Sequence, residues 1–117
     1  MLEQRLNWDL QEEVGHWAVQ TFPKATHTSI TAHMYKELQE LRAAKTTLNK
    51  AEECADLYLM LLHLAHINGF DLFLSGRHKL DICRGRTWCR PDAEGVVEHD
   101  RSKEKNLIKF KAVKRKR

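Results

Sequence analysis

The sequence predicts an all-α fold, a four-helix bundle followed by a short irregular basic C-terminal tail. Three observations predict it. Apolar residues recur at steps of three and four rather than two, as helices with one packed face require. Capping and turn residues fall between those stretches. Two acid pairs, Glu37 with Glu40 and Glu53 with Asp56, each place carboxylates three apart on either side of a turn signal, the pattern of a helical hairpin. At 117 residues the chain can bury a single core, and we assign residues 1–100 to the bundle and 101–117 to the tail.

The first helix is expected over residues 3–21, where Leu2, Leu6, Leu10, Val14 and Trp17 step by four, four, four and three, and Trp17 belongs to the packed stripe. Pro23 marks its end. Thr28 or Ser29 can cap the second helix, which begins near Ile30 and carries Ile30, Met34, Leu38 and Leu41 beside an acidic stripe of His33, Glu37 and Glu40. Lys45 to Asn49 breaks the pattern. Asn49, with Glu52 three positions on, reads as the N-cap of a third helix running to Asn68, closed by Gly69 in the left-handed conformation. From Cys54 to Ala65 that helix is apolar on nearly every side and expected to be buried, with Glu53, Asp56, Met60 and His63 along one stripe. Asp71 can cap a fourth helix, Leu72 to about Arg86, apolar at Leu72, Leu80 and Cys83 and basic at Arg77, Lys79, Arg84 and Arg86. Arg90 to Gly95 is a turn by composition, Val96-Val97 a short extended piece, and no regular structure is expected beyond Lys103.

Composition narrows the function classes. No apolar run is long enough to cross a bilayer and the N-terminus lacks a secretory pattern, so the expected location is the cytoplasm, without a membrane partner. Cys54, Cys83 and Cys89 form no C-x-x-C, which argues against a disulfide framework or a structural zinc site. The net charge of +4 is uneven: residues 101–117 carry nine Lys or Arg against Glu104 alone, while residues 1–100 carry 11 basic and 15 acidic side chains. A basic tail on an acidic body can contact nucleic acid or attract polyanionic substrates, and equally serves as a solvated end. There is no glycine-rich phosphate loop of the G-x-x-x-x-G-K-[ST] or G-x-G-x-x-G kind, so any bound phosphate must be met by metal and basic side chains.

The four acids carry the chemistry. Acids are common on solvated helix faces, but these lead into an apolar helix and need partners. If the two helices run antiparallel, Glu37, Glu40, Glu53 and Asp56 converge on one patch whose repulsion is costly without a cation, and Mg²⁺ is often shared between a few carboxylates and substrate phosphates. Di-iron bundles instead want E-x-x-H on two helices, and Glu13-x-x-His16 alone has that spacing, so this class ranks low. His63-x-x-His66 lacks acidic or cysteine partners at metal spacing and stays outside the expected site.

These motifs, in order, resemble a known family. Glu37-x-x-Glu40 followed by Glu53-x-x-Asp56 in a helical chain looks like the MazG-like, all-α nucleoside triphosphate pyrophosphohydrolases. His33-x-x-Lys36-Glu37-x-x-Glu40-Leu41, Lys79 to Trp88 and Gly95-Val96-Val97-Glu98-His99 are most similar to their dATP/dGTP diphosphohydrolase branch. Lys36 stands at the first position of the double-Glu motif and Cys83 where that branch generally has Asn. The resemblance covers roughly residues 17–99. It implies the fold of that family, a homodimer or homotetramer, and hydrolysis of nucleoside triphosphates, purine deoxynucleotides in particular, to the monophosphate and pyrophosphate. Mg²⁺, with Mn²⁺ as an alternative, would be held by Glu37, Glu40, Glu53 and Asp56, and Glu37 or Glu40 would accept the proton of the attacking water. Lys79 and Arg86 would meet the phosphates, and Trp17, Phe22, His33 and Trp88 would line the nucleotide pocket. The alternative is a non-catalytic helical interaction module whose tail binds nucleic acid.

Overall fold

The computed structural model describes residues 2–103 and 109–115, with residues 2–9 described only in their helical backbone. Among the described residues there are four α-helices, α1 (Leu2–Thr21), α2 (His27–Ala43), α3 (Thr47–Asn68) and α4 (Leu72–Arg84), a 3₁₀ turn at Arg101–Lys103, and no strand beyond isolated bridges. α3 packs against all three other helices. The expected all-α architecture is the observed one.

Two of the helix starts lie about a turn earlier than expected. α2 is capped by Thr26, not Thr28 or Ser29: the Thr26 hydroxyl accepts from the Ser29 amide at 3.1 Å, and the Ser29 hydroxyl accepts from the Thr26 amide at 2.9 Å. Ser29 is thus the third helical residue of a capping box. α3 is capped by Thr46, not Asn49, whose own amide donates to the Thr46 hydroxyl at 3.1 Å. In both loops a threonine three residues upstream of the expected cap can satisfy that amide, which adds a turn of backbone hydrogen bonds. The expected caps at the α3–α4 corner are in place: Gly69 is left-handed (φ 76°), and the Asp71 carboxylate accepts from the Leu74 amide at 2.8 Å.

Packing departs from the expected stripes in an informative way. The buried side of α1 is Gln11, Val14, Gly15 and Ala18, while Trp17 is 53% exposed; the Leu2 and Leu6 side chains fall outside the described residues. α3 comes so close that a Cβ on Gly15 would lie 2.3 Å from the His66 ring. Only small side chains fit under that crossing, which turns the large Trp17 outward. On α2 the half-buried line is Met34, Glu37 and Leu41, so Glu37 lies in the seam and Leu38 outside it. α3 is fully covered only from Leu62 to Ala65; Tyr58, Leu59 and Leu61 are exposed, because α1 and α4 shield only its C-terminal half.

Gln11 ties the corner to α1. It is 1% exposed, its side-chain N–H donates to the Phe70 carbonyl at 2.8 Å, and its carbonyl accepts from the Leu72 amide at 3.0 Å. After α4 the chain makes a hairpin-like excursion: Cys89 N–H donates to the Glu98 carbonyl at 2.8 Å, and Gly95 (φ 82°) closes the turn that begins at Asp92. Beyond Lys103 the described part of the tail, residues 109–115, forms no helix and lies on the body, with Lys114 bridged to Phe70. The Val113 carbonyl accepts from the Asp71 amide at 2.7 Å, Arg115 N–H donates to the Gly69 carbonyl at 3.2 Å, and the Arg115 guanidinium meets Glu12 at 2.7 Å with 8% of its side chain exposed.

Candidate active site

α2 and α3 form a helical hairpin joined at Ala44–Thr46, and this sets the acids of one helix against those of the other. Glu37, Glu40 and Glu53 each bring a carboxylate oxygen within 4.8 Å of the other two. Asp56, one turn along α3 from Glu53, lies with Glu37 in the wall of an adjoining pocket of about 690 Å³.

The electrostatics of the cluster are those of too much negative charge in too little space. The Glu53 carboxyl is pushed up to about 7, chiefly by its hydrogen bond with Glu37, with partial burial and the charges of Glu40 and Glu37 adding to it. Glu37 is lowered, first by the same hydrogen bond and further by the positive charge of His33. Glu53 therefore keeps a proton that Glu37 accepts. His33 Nε2 lies 3.2 Å from Glu37 Oε1, and among the described residues it is the ion-pair partner the cluster has. The other oxygens, Glu37 Oε2 and Glu53 Oε2, are buried, and no N–H or O–H of the described residues reaches them. Buried carboxylate oxygens without donors suit a hard divalent cation, for which oxygen ligands are the natural set. The residues present fit Mg²⁺ or Mn²⁺.

The pocket continues from the acids toward the start of α2. Trp17 and Phe22 meet edge to face, with ring centroids 5.4 Å apart at 87°, and Phe22 lies over His63 at 6.4 Å and 31°. Ile30, His33, Leu59 and Met60 complete the apolar wall, with Lys24 and Ser29 at its edge. Trp17, Phe22, His33, Glu37 and Asp56 are thus brought into one cavity, and the Glu40 and Glu53 carboxylates meet Glu37 at its acidic end.

Lys79, Arg86 and Trp88 lie outside this lining. The Lys79 ammonium sits 5.7 Å from the centre of the Phe110 ring, beside a separate apolar hollow of about 420 Å³ under the tail. Arg86 follows the end of α4, where its amide donates to the Cys83 carbonyl at 3.2 Å. The Trp88 indole N–H donates to the same carbonyl at 3.2 Å, and its ring meets His99 edge to face. Cys83 itself is half-buried. Sequence reasoning missed His63, Leu59, Met60, Lys24 and Ser29 as pocket residues; the i, i+7 spacing of Asp56 and His63 was the signal for His63.

Comparison with known proteins places this arrangement. No protein-family model matches the chain. A solved structure from Cyanophage S-2L, a MazG-like pyrophosphohydrolase bound to dGDP and three catalytic Mn²⁺ ions per active site, superposes with a TM-score of 0.67 and 30% identity, over 79% of this chain and 94% of that one. The chain is also 32% identical over 91 residues to a dATP/dGTP diphosphohydrolase of Cyanophage S-2L, covering 78% of this chain and 85% of the relative. It is 33% identical over 91 residues to a dATP/dGTP diphosphohydrolase of Salmonella phage PMBT28, of whose length it spans 30%. The fold is that of the MazG-like class. The chain belongs to the MazG-like pyrophosphohydrolases, in their dATP/dGTP diphosphohydrolase branch. Among the described residues no helix is long and apolar enough to cross a membrane.

Proposed function

We propose that the chain hydrolyses purine deoxynucleoside triphosphates between the α and β phosphates, giving the monophosphate and pyrophosphate, with Mg²⁺ as the working ion and Mn²⁺ able to replace it. The observation that carries this reading is the cluster of Glu37, Glu40 and Glu53 opening into a pocket with aromatic walls, in a chain similar to a protein bound to dGDP and Mn²⁺. Glu37, Glu40, Glu53 and Asp56 would hold the metal. When bound, divalent cations neutralise the charge that builds on the phosphates as the α–β bond breaks.

The chain's own groups do the rest. Glu37, kept ionised by its hydrogen bond with Glu53 and by His33, or Glu40, the most exposed acid of the cluster, would take the proton of the attacking water. Trp17 and Phe22 offer a face and an edge against which a base can stack. Lys79 and Arg86 are proposed to meet phosphate oxygens, Arg86 through paired hydrogen bonds, although neither is among the residues lining the pocket of the single chain. A homodimer or homotetramer is supported by the large side chains left exposed on α2 and α3, Tyr35, Leu38, Tyr58, Leu59 and Leu61. The described tail is engaged with the body through Arg115 and Phe110, so no observation favours the nucleic-acid reading over this one.

The test is pyrophosphate release from dATP, dGTP and a panel of other nucleoside triphosphates with Mg²⁺, for the native chain and Glu53→Gln. Release from the purine deoxynucleotides, lowered by about three orders of magnitude in the variant, is the expected result, since removing a group that stabilises transition-state charge typically costs a factor of this order. Equal release by both chains would sink the proposal.

A further inference from the structure

His63 stands out among the pocket residues for what it lacks. It is 7% exposed, lies in the wall of the 690 Å³ cavity under Phe22, and neither ring nitrogen has a hydrogen-bond partner among the described residues. His63 lines a cavity and its ring nitrogens are not among the side-chain atoms closed off without a partner, so a ligand in that cavity can meet them. From Asp56 to His63 is two helical turns, about 10 Å along the axis of α3 at a rise of about 1.5 Å per residue. That separation places the imidazole at the end of the pocket opposite the acids, with Trp17 and Phe22 beside it.

We infer that His63 is the base-reading residue of this site: its imidazole hydrogen-bonds the edge of a purine whose ring stacks against Trp17 and Phe22 while the phosphates lie at the acidic end. The inference rests on the nucleotide reading above and names the residue that would choose among nucleotides. A neutral imidazole offers one donor and one acceptor on nitrogens that point apart, so one of them at a time can meet a purine edge, whether that edge presents an acceptor or a donor there. Burial, and the neighbouring His66, hold its protonation below the usual histidine range, so at neutral pH the ring meets the base uncharged. A charged ring would carry no acceptor.

The experiment measures KM and kcat of the full chain with Mg²⁺ for dATP, dGTP and the abasic 2′-deoxyribose 5-triphosphate, in native protein, His63→Leu and His63→Gln. Mn²⁺ affinity is measured on each without nucleotide. His63→Leu is expected to raise KM for dATP and dGTP by about tenfold or more, the cost of an unmet buried hydrogen bond, with the loss in KM rather than kcat. His63→Gln, which keeps a donor and an acceptor, should restore most of it. Neither variant should change the abasic triphosphate or Mn²⁺ affinity. Unchanged KM for the purines in His63→Leu, or an equal loss for the abasic compound, overturns the inference and leaves the hydrolase reading standing. No release from any nucleotide by the native chain overturns both.

Discussion

Acids on the two sides of this molecule are treated in opposite ways. At the corner where the tail returns, Glu12 accepts from Arg115 at 2.7 Å and from His16 at 2.9 Å, and Gln11 and the Asp71 amide have their partners within 3.0 Å. On the α2–α3 face, Glu37, Glu40 and Glu53 crowd together with His33 as their ion-pair partner among the described residues, and two buried oxygens lack donors. One side pairs its acid with basic groups of the chain. The other leaves much of its negative charge uncompensated among the described residues. An acid paired by its own chain is structural, whereas a partly buried acid cluster left under-neutralised is a candidate binding site.

Breaking the paired side should therefore cost stability, and breaking the other should cost function. The largest stability effect is expected for Gln11→Leu, which strands the Phe70 carbonyl and the Leu72 amide. At about 1–3 kcal/mol for each unmet group, the loss is about 2–6 kcal/mol in chemical denaturation. A loss under about 1 kcal/mol would mean that water replaces the side chain. Glu12→Gln should cost less, about 1–2 kcal/mol, because Glu12 is partly exposed and its pair with Arg115 is screened on one side. In the metal-free chain Glu53→Gln should instead leave stability unchanged or raise it, since it removes a repelled carboxyl, while abolishing the gain in melting temperature on adding Mg²⁺. If Glu12→Gln also abolished the Mg²⁺ response, the two sides would not be separate.

The smallest effect, and the sharpest, is in pH. Glu53 has a folded value of about 7, above its ordinary 4.5, so its contribution to stability is present below about pH 4.5 and lost as pH rises through about 7. Glu37 is lowered, so its contribution is present above its ordinary value and is lost only at more acid pH. Melting temperatures of the metal-free chain should thus fall between pH 5 and 7.5, and saturating Mg²⁺ should flatten that fall by taking the place of the Glu53 proton. The same slope in Glu53→Gln would assign it to other groups.

Much of this site is legible in the order of residues alone. The two acid pairs, the hairpin between them and the left-handed Gly69 follow from spacing and turn chemistry that act over a few residues. The helix starts at Thr26 and Thr46 lie two or three positions from where the sequence points, because several capping residues compete in each loop and only hydrogen-bond geometry chooses between them. The burial of α1 differs from its apolar stripe by a step of register: periodicity finds the stripe, but the close crossing at Gly15 decides which residues lie beneath it. Trp17 is a pocket wall for that reason.

Local order determined the rest of what could be read: four helices, the acids on facing turns, and a charge imbalance between body and tail. The tertiary structure decided what depends on distant segments meeting. It brought α3 against α1 so that His63 faces a cavity with Trp17 and Phe22, laid Arg115 on Glu12 across a separation of 103 residues, and set Lys79 beside Phe110 outside the acidic pocket. Sequence spacing fixes which side chains share a helix face, because helical geometry is periodic; it carries no information on how that face turns toward another helix, which is settled by the volumes that must fit between them.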